Sequence, residues 1–183
     1  MSVIFDREQL LRIFHELNEA LARRGVSANV FIVGGAAMAI AYDARRTTRD
    51  VDAIFEPSRV VRDAVAEIAQ DMGLESDWLN DAAKGFIPGD DPHPVPVYEG
   101  SQLKVAAASP EFLLAMKLLA SRTDRDIDDI KLLYNLLGYS TADEGLDLLE
   151  RFYPRQLILP RVSLLLEELF PSKVQDLDLD WDI

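Results

Sequence analysis

The chain has 183 residues, 49% of them apolar and 28% charged, with a formal charge of −13 and no cysteine. This is the balance of an ordinary globular domain, and it excludes disulfides, thiolate nucleophiles and cysteine-bound zinc. No apolar run reaches the roughly eighteen residues of a membrane span, the first residues lack a secretory pattern, and the acid excess disfavours non-specific nucleic-acid binding, which needs clustered Lys and Arg; the expected location is the cytoplasm.

Leu10, Phe14, Leu17 and Leu21 fall near helical spacing and predict a helix over 7–24 that Gly25 stops. Residues 29–33 read as a buried strand ending on a glycine pair. A short helix of small apolar residues follows over 36–42, then a second strand over 49–55. Pro57 is expected to open a helix reaching Met72, with Val60, Val61, Ala64, Val65 and Ile68 facing inward. Residues 73–100, rich in Gly and Pro, are expected to form a loop region with one short helix near Trp78. A third strand is expected over 103–107. Ser109 and Pro110 then supply a cap and a first helical residue. They open a helical series over 110–121, 125–137, 142–152 and 160–169, in which Thr141 and Glu144 fit a capping box. Asp176 to Ile183 alternate acidic and apolar residues, which suits an edge strand, a partner contact or, preferred here, a loosely packed end. The expected organisation is a core over 1–108, a helical part over 109–172 and an acidic tail over 173–183.

The chemistry concentrates where the first strand runs into Gly34 and Gly35. A strand, a glycine pair and a helix start make an anion site, because main-chain N–H groups and the helix dipole face the ligand. Glycine lets a phosphate approach the backbone closely, although glycine pairs also serve simply as turns. Downstream lies Asp50-Val51-Asp52. Residues two apart in a strand share a face, so the two carboxylates stand together. They repel unless a cation neutralises them. Hard oxygen donors suit Mg²⁺, which typically takes one or two carboxylates plus substrate phosphates. The plainer alternative is a solvated strand face paired with Arg49.

Gly34-Gly35-Ala36-Ala37-Met38 followed by Arg46-Thr47-Thr48-Arg49-Asp50-Val51-Asp52 resembles the signature of the polymerase-β-like nucleotidyltransferases. Within that superfamily it is most similar to the AbiEii and MenT type, which includes toxins of bacterial toxin–antitoxin pairs. The likeness covers roughly residues 28–137. It implies an α/β (α+β) nucleotidyltransferase fold, a small mixed sheet flanked by helices with a helical C-terminal part. It also implies a metal-dependent enzyme that moves a nucleoside monophosphate from a nucleoside triphosphate to a hydroxyl acceptor. Gly34 and Gly35 would hold the triphosphate, Arg46 and Thr48 would add nucleotide contacts, and Asp50 and Asp52 would bind Mg²⁺ or Mn²⁺. The acceptor would be tRNA or protein, with a small molecule also open because the acidic charge argues against extended RNA contact, and a cognate antitoxin would be a partner.

A second motif extends the likeness. Family members carry a helical lysine and then Arg-Asp-x-x-Asp; here these are Lys117 and Arg125-Asp126-Ile127-Asp128-Asp129. The resemblance gives Lys117 a triphosphate contact and Asp126 a positioning role. Lys117 lies in a helix that is apolar on most sides, so it either snorkels to water or serves a site. Asp126 projects inside the arc of Ile130, Leu133, Tyr134 and Leu137; Asp129 lies at its edge and Asp128 points away. First-turn helix stabilisation is the alternative for Asp126. Arg122 is a further phosphate candidate, though an exposed salt bridge is the commoner fate of such a residue. Asn80 and Lys84 are candidate base or phosphate contacts, while Trp78 reads as an anchor for its loop.

Two departures matter. Ala36 and Ala37 stand where many nucleotidyltransferases carry serine, and 103–107 lacks the third acid that many place on a later strand, with Glu99 a weak substitute. A catalytically inactive nucleotide-binding, regulatory or interaction module of the same fold is therefore the alternative reading. His15 and His93 are too far apart in sequence to suggest a metal cluster, and no P-loop motif is present.

Overall fold

A computed structural model describes residues 4–120 and 126–171. The chain forms two compact units, Met1–Leu113 and Leu114–Ile183. The acidic tail and Arg122 lie outside the described residues.

In the first unit, helix α1 (Arg7–Arg24) begins at Asp6, whose carboxylate accepts from the Gln9 N–H at 2.8 Å. It ends at Gly25, which has φ 64°, a left-handed conformation that glycine adopts without steric cost. Strand β1 (Ala28–Ile32) leads into α2 (Gly34–Ala37), which continues as a π-helical turn over Met38–Tyr42. Strand β2 (Val51–Glu56), helix α3 (Ser58–Met72) and the two-residue strand β3 (Leu79–Asn80) follow. A 3-10 turn over Ala82–Phe86 precedes β4 (Val95–Glu99) and β5 (Leu103–Ala107).

The five strands are ordered β3-β2-β1-β5-β4. β1 runs antiparallel to β2 and parallel to β5, β2 runs parallel to β3, and β4 runs antiparallel to β5. The sheet is thus mixed, in agreement with the expected α/β fold. Period-two alternation separates its faces. Val30, Ile32, Val51, Ala53, Phe55, Leu103, Val105 and Ala107 are buried. They form one core with Ile13, Phe14 and Leu17 of α1 and Val61, Ala64, Val65 and Ile68 of α3, the helices that pack on this side. The opposite face carries Asn29, Phe31, Asp52, Ile54, Lys104 and Ala106, all at least partly accessible.

Several expectations are corrected. The second strand starts at Val51 rather than at Arg49, so Asp50 lies in a bend before the ladder. Pro57 is the cap of α3 and not its first helical residue, and Val60 is only half-buried. Residues 73–100 hold two strands where a loop was expected. β3 is too short to show any periodicity. β4 contains Pro96, which speaks against a strand in general but is tolerated on an edge strand with a bulge, and the β4–β5 register shifts between Pro96 and Tyr98. The short helical turn lies at Ala82–Phe86 and not at Trp78. Trp78 itself is buried, donates from Nε1 to the Val65 carbonyl at 3.2 Å and packs on Phe5, as befits a loop anchor.

Helix α4 (Pro110–Ala120) contains the unit boundary. Ser109 Oγ accepts from the Phe112 N–H at 3.2 Å and so caps its start. The second unit then holds α5 (Ile127–Leu137), α6 (Ala142–Phe152) and α7 (Pro160–Leu169). Its core centres on Tyr134, which stacks on Phe170 with ring centroids 3.7 Å apart. Gly145 belongs beneath that ring because a Cβ there would overlap the Tyr134 hydroxyl.

Candidate functional site

The corner between β1 and β2 brings four of the expected residues together. Val33 follows β1 and donates its N–H to the Asp52 carbonyl at 2.9 Å. The chain then turns through Gly34, at φ 61°, a conformation that costs any L side chain roughly 1–2 kcal/mol. A Cβ on Gly34 would stand 3.5 Å from Asp52 Oδ2, and one on Gly35 would stand 3.0 Å from Thr48 Oγ1. The glycine pair is therefore held directly against a carboxylate and a hydroxyl. Thr48 is fixed in turn: its hydroxyl donates to the Asp50 carbonyl at 2.9 Å, and its backbone bridges to Phe5. Asp52 is half-buried within the ladder, while Asp50 is exposed in the bend.

A family described as "nucleotidyltransferase of unknown function (DUF6036)" matches residues 8–141 of this sequence. The chain belongs to this nucleotidyltransferase family. No curated protein and no solved structure matches it.

In this nucleotidyltransferase-family chain the other expected contacts are distributed unevenly. Asn80 is the ladder partner of Asp52, so the two share a row across β2 and β3. Its side-chain oxygen accepts from the Ala82 N–H at 2.9 Å, which shapes the following turn. Lys84 is exposed on that turn. Arg46 lies 3.4 Å from Asp43 in an ion pair. The Asp43 carboxyl is held below its ordinary range, first by the Arg45 N–H and then by the Arg45 and Arg46 charges.

The nucleotidyltransferase corner fits a hard divalent cation through its donor chemistry. Asp50, Asp52 and Thr48 supply oxygen only. Among the described residues no group of three or more His, Cys, Asp or Glu side chains is placed to hold an ion by itself. An ion at the corner would thus complete its shell with water and substrate phosphate, the usual habit of Mg²⁺. On the same sheet face β5 offers Lys104 and Ala106, so β5 adds no third carboxylate.

Lys117 and Asp126 lie in the second unit. Lys117 Nζ is 2.8 Å from Asp126 Oδ1 and 2.5 Å from Asp129 Oδ2. All three side chains are largely buried, with 12%, 17% and 8% exposure respectively. Asp126 precedes α5, whose first residue, Ile127, comes two residues later than the expected helix start at 125, and the Asp126 side chain makes no capping hydrogen bond; Asp128 is exposed, as expected. Asp129 is the member that the sequence reading left at the margin. Its signal was the spacing of three from Asp126, which puts both carboxylates on one side of the helix.

Proposed function

We propose that this protein transfers a nucleoside monophosphate from a nucleoside triphosphate to a hydroxyl acceptor. The observation that carries the reading is the corner where Gly34 and Gly35 meet Asp52 and Thr48. Gly34 and Gly35 give a phosphate access to the main chain at the start of α2. Asp50 and Asp52 are the ligands for Mg²⁺ or Mn²⁺, which when bound would neutralise charge on the phosphates. In the transfer the acceptor oxygen bonds to the α-phosphorus and the bond from that phosphorus to its bridging oxygen breaks. Pyrophosphate leaves with the electron pair, and the hydroxyl proton passes to solvent. Thr48 orients the bend that carries Asp50.

The finer version, that of an AbiEii- or MenT-like toxin with tRNA or protein as acceptor and an antitoxin as partner, rests on the motif likeness alone. The triphosphate role of Lys117 rests on the same likeness and is tested separately by Lys117→Arg, which keeps the charge.

The test is a labelling screen. The protein is incubated with Mg²⁺ or Mn²⁺ and each labelled nucleoside triphosphate, with tRNA, with total protein and without acceptor. Asp50→Ala combined with Asp52→Ala is expected to lower transfer by about a thousandfold, the scale of losing a central electrostatic element of a site, with little change in melting temperature. Transfer that survives the double substitution overturns the proposal.

The absence of a carboxylate at Lys104 and Ala106 favours a second reading, that of a nucleotide-binding module without turnover. Metal-dependent nucleotide binding by calorimetry, with no label transferred to any acceptor, would select it.

A further inference from the structure

The sheet face that bears Asp52 continues into a trough of about 460 Å³, within the range of small-molecule sites. Phe31 aligns with Ile54 on one side and Ala106 on the other, and Ala106 aligns with Pro96. These four side chains make an apolar floor one row away from Asp52. The step from Asp52 to Ile54 is two residues, about 7 Å along the strand. Phe112 stands edge-on against Phe31 at 5.6 Å and steadies that floor.

One row further lie Glu56, Asn29, Lys104 and Glu99, again as ladder neighbours. Lys104 is engaged by Glu99 at 3.4 Å. Among the described residues Glu56 takes only neutral hydrogen bonds, from the Ser58 N–H and hydroxyl at 3.3 Å each. The far row therefore carries one negative charge in excess. A polyanionic acceptor gains nothing from such a lining, and the chain as a whole carries −13.

We propose that this trough is the acceptor subsite, and that it takes a small hydroxyl compound with a flat apolar body and a positively charged group. The inference rests on the transfer reading given above. The cationic end lies toward Glu56, the apolar body covers Phe31, Ile54 and Ala106, and the hydroxyl reaches the Asp52 row, where the new phosphate ester forms and pyrophosphate leaves. The excess negative charge of the far row favours the cationic group there, while the hydroxyl, which must meet the α-phosphorus, sets the direction of the other end.

Tyramine, with a phenol hydroxyl, a ring and an ammonium, is a suitable probe. It is titrated into the full chain carrying methyl labels on Ile and Ala, first alone and then with Mg²⁺ and ATP. Saturable shifts at Ile54 and Ala106 are expected in both cases, with the nucleotide shifting the Gly34 and Thr48 amides instead. Ala106→Trp is expected to weaken tyramine binding and tyramine labelling about tenfold or more, the scale on which pockets discriminate single groups, while ATP binding stays within about twofold. Glu56→Gln, a surface change that preserves folding, should weaken tyramine about two- to fivefold and leave the neutral analogue p-cresol unaffected. The proposal is overturned if tyramine leaves Ile54 and Ala106 unmoved, if ATP itself shifts those methyls, or if tRNA or protein is labelled equally well by the wild type and Ala106→Trp. Tyramine shifts with no nucleotide response anywhere would keep the amine site and overturn the transfer reading beneath it.

Discussion

The carboxylates of Asp50 and Asp52 stand at a corner made largely of main chain, whereas those of Asp126 and Asp129 close around a lysine. At the corner the neighbours are two glycines and a threonine hydroxyl, and Asp50 is open to solvent. In the second unit Lys117 reaches both carboxylates within 2.8 Å, and little of any of the three side chains is exposed. The first arrangement sets its carboxylates against main chain, one of them open to solvent. The second holds a lysine between two carboxylates of its own unit. Acidic residues at family-motif positions can thus carry quite different physical loads: the corner is sensitive to what binds, and the cluster is sensitive to what is removed.

The largest effect on stability is expected at the cluster. Lys117→Met removes the lysine that both buried carboxylates contact, and removing one partner of a buried ion pair typically costs about 3–5 kcal/mol. Urea unfolding followed by circular dichroism measures it. Replacing the three residues together, Lys117→Met with Asp126→Asn and Asp129→Leu, removes the stranded charges and should recover most of that loss. A single Lys117→Met variant within about 1 kcal/mol of wild type would mean that the carboxylates find water, and the contrast between the two regions would then dissolve.

A smaller effect separates backbone strain from site geometry at the corner. Gly34 and Gly25 have nearly the same conformation, with φ of 61° and 64°. An alanine at either position takes on the left-handed penalty of about 1 kcal/mol. The surroundings differ, because a Cβ at Gly25 meets nothing within 4 Å while one at Gly34 comes against Asp52. Gly34→Ala and Gly25→Ala should therefore unfold at similar urea concentrations, and only Gly34→Ala should lower the affinity for Mg²⁺ and nucleotide in calorimetry. Equal nucleotide affinity in both variants would show that the glycine is needed for the turn alone.

The sequence was most legible where one local rule decided the outcome. The spacing of Leu10, Phe14, Leu17 and Leu21 with Gly25 behind them defines α1 to the residue, and 103–107 defines β5 equally well. The corner was legible in its composition, and less so in its geometry. That Thr48 lies against Gly35 follows from the path of the connection after the π-helical turn, which no periodicity encodes. β3 and β4 escaped because their evidence is not local. β3 exists through pairing with Val51 and Asp52, and β4 exists in spite of Pro96 because β5 offers it a ladder. The Lys117 cluster was half legible: helix geometry brings Asp126 and Asp129 to one side, but their meeting with a lysine from α4 depends on packing.

The smallest effect is one of pH, and it concerns the second unit at a point away from the buried cluster. Glu144 reaches back to the start of α6 and accepts from the Ser140 N–H at 2.7 Å, the Thr141 N–H at 2.9 Å and the Thr141 hydroxyl at 3.0 Å. The Ser140 and Thr141 N–H groups hold its carboxyl below the ordinary glutamate range. A carboxyl whose folded pKa lies below its unfolded one contributes stability that is fully present above the unfolded value and is lost as pH falls through the folded value. Glu144→Gln removes the charge and with it this dependence. The wild type should exceed the variant in urea midpoint at neutral pH, and the two curves should converge once the pH drops below the folded pKa of Glu144. If Glu144→Gln simply shifts the profile by a constant, the contact at the start of α6 is not electrostatic in origin.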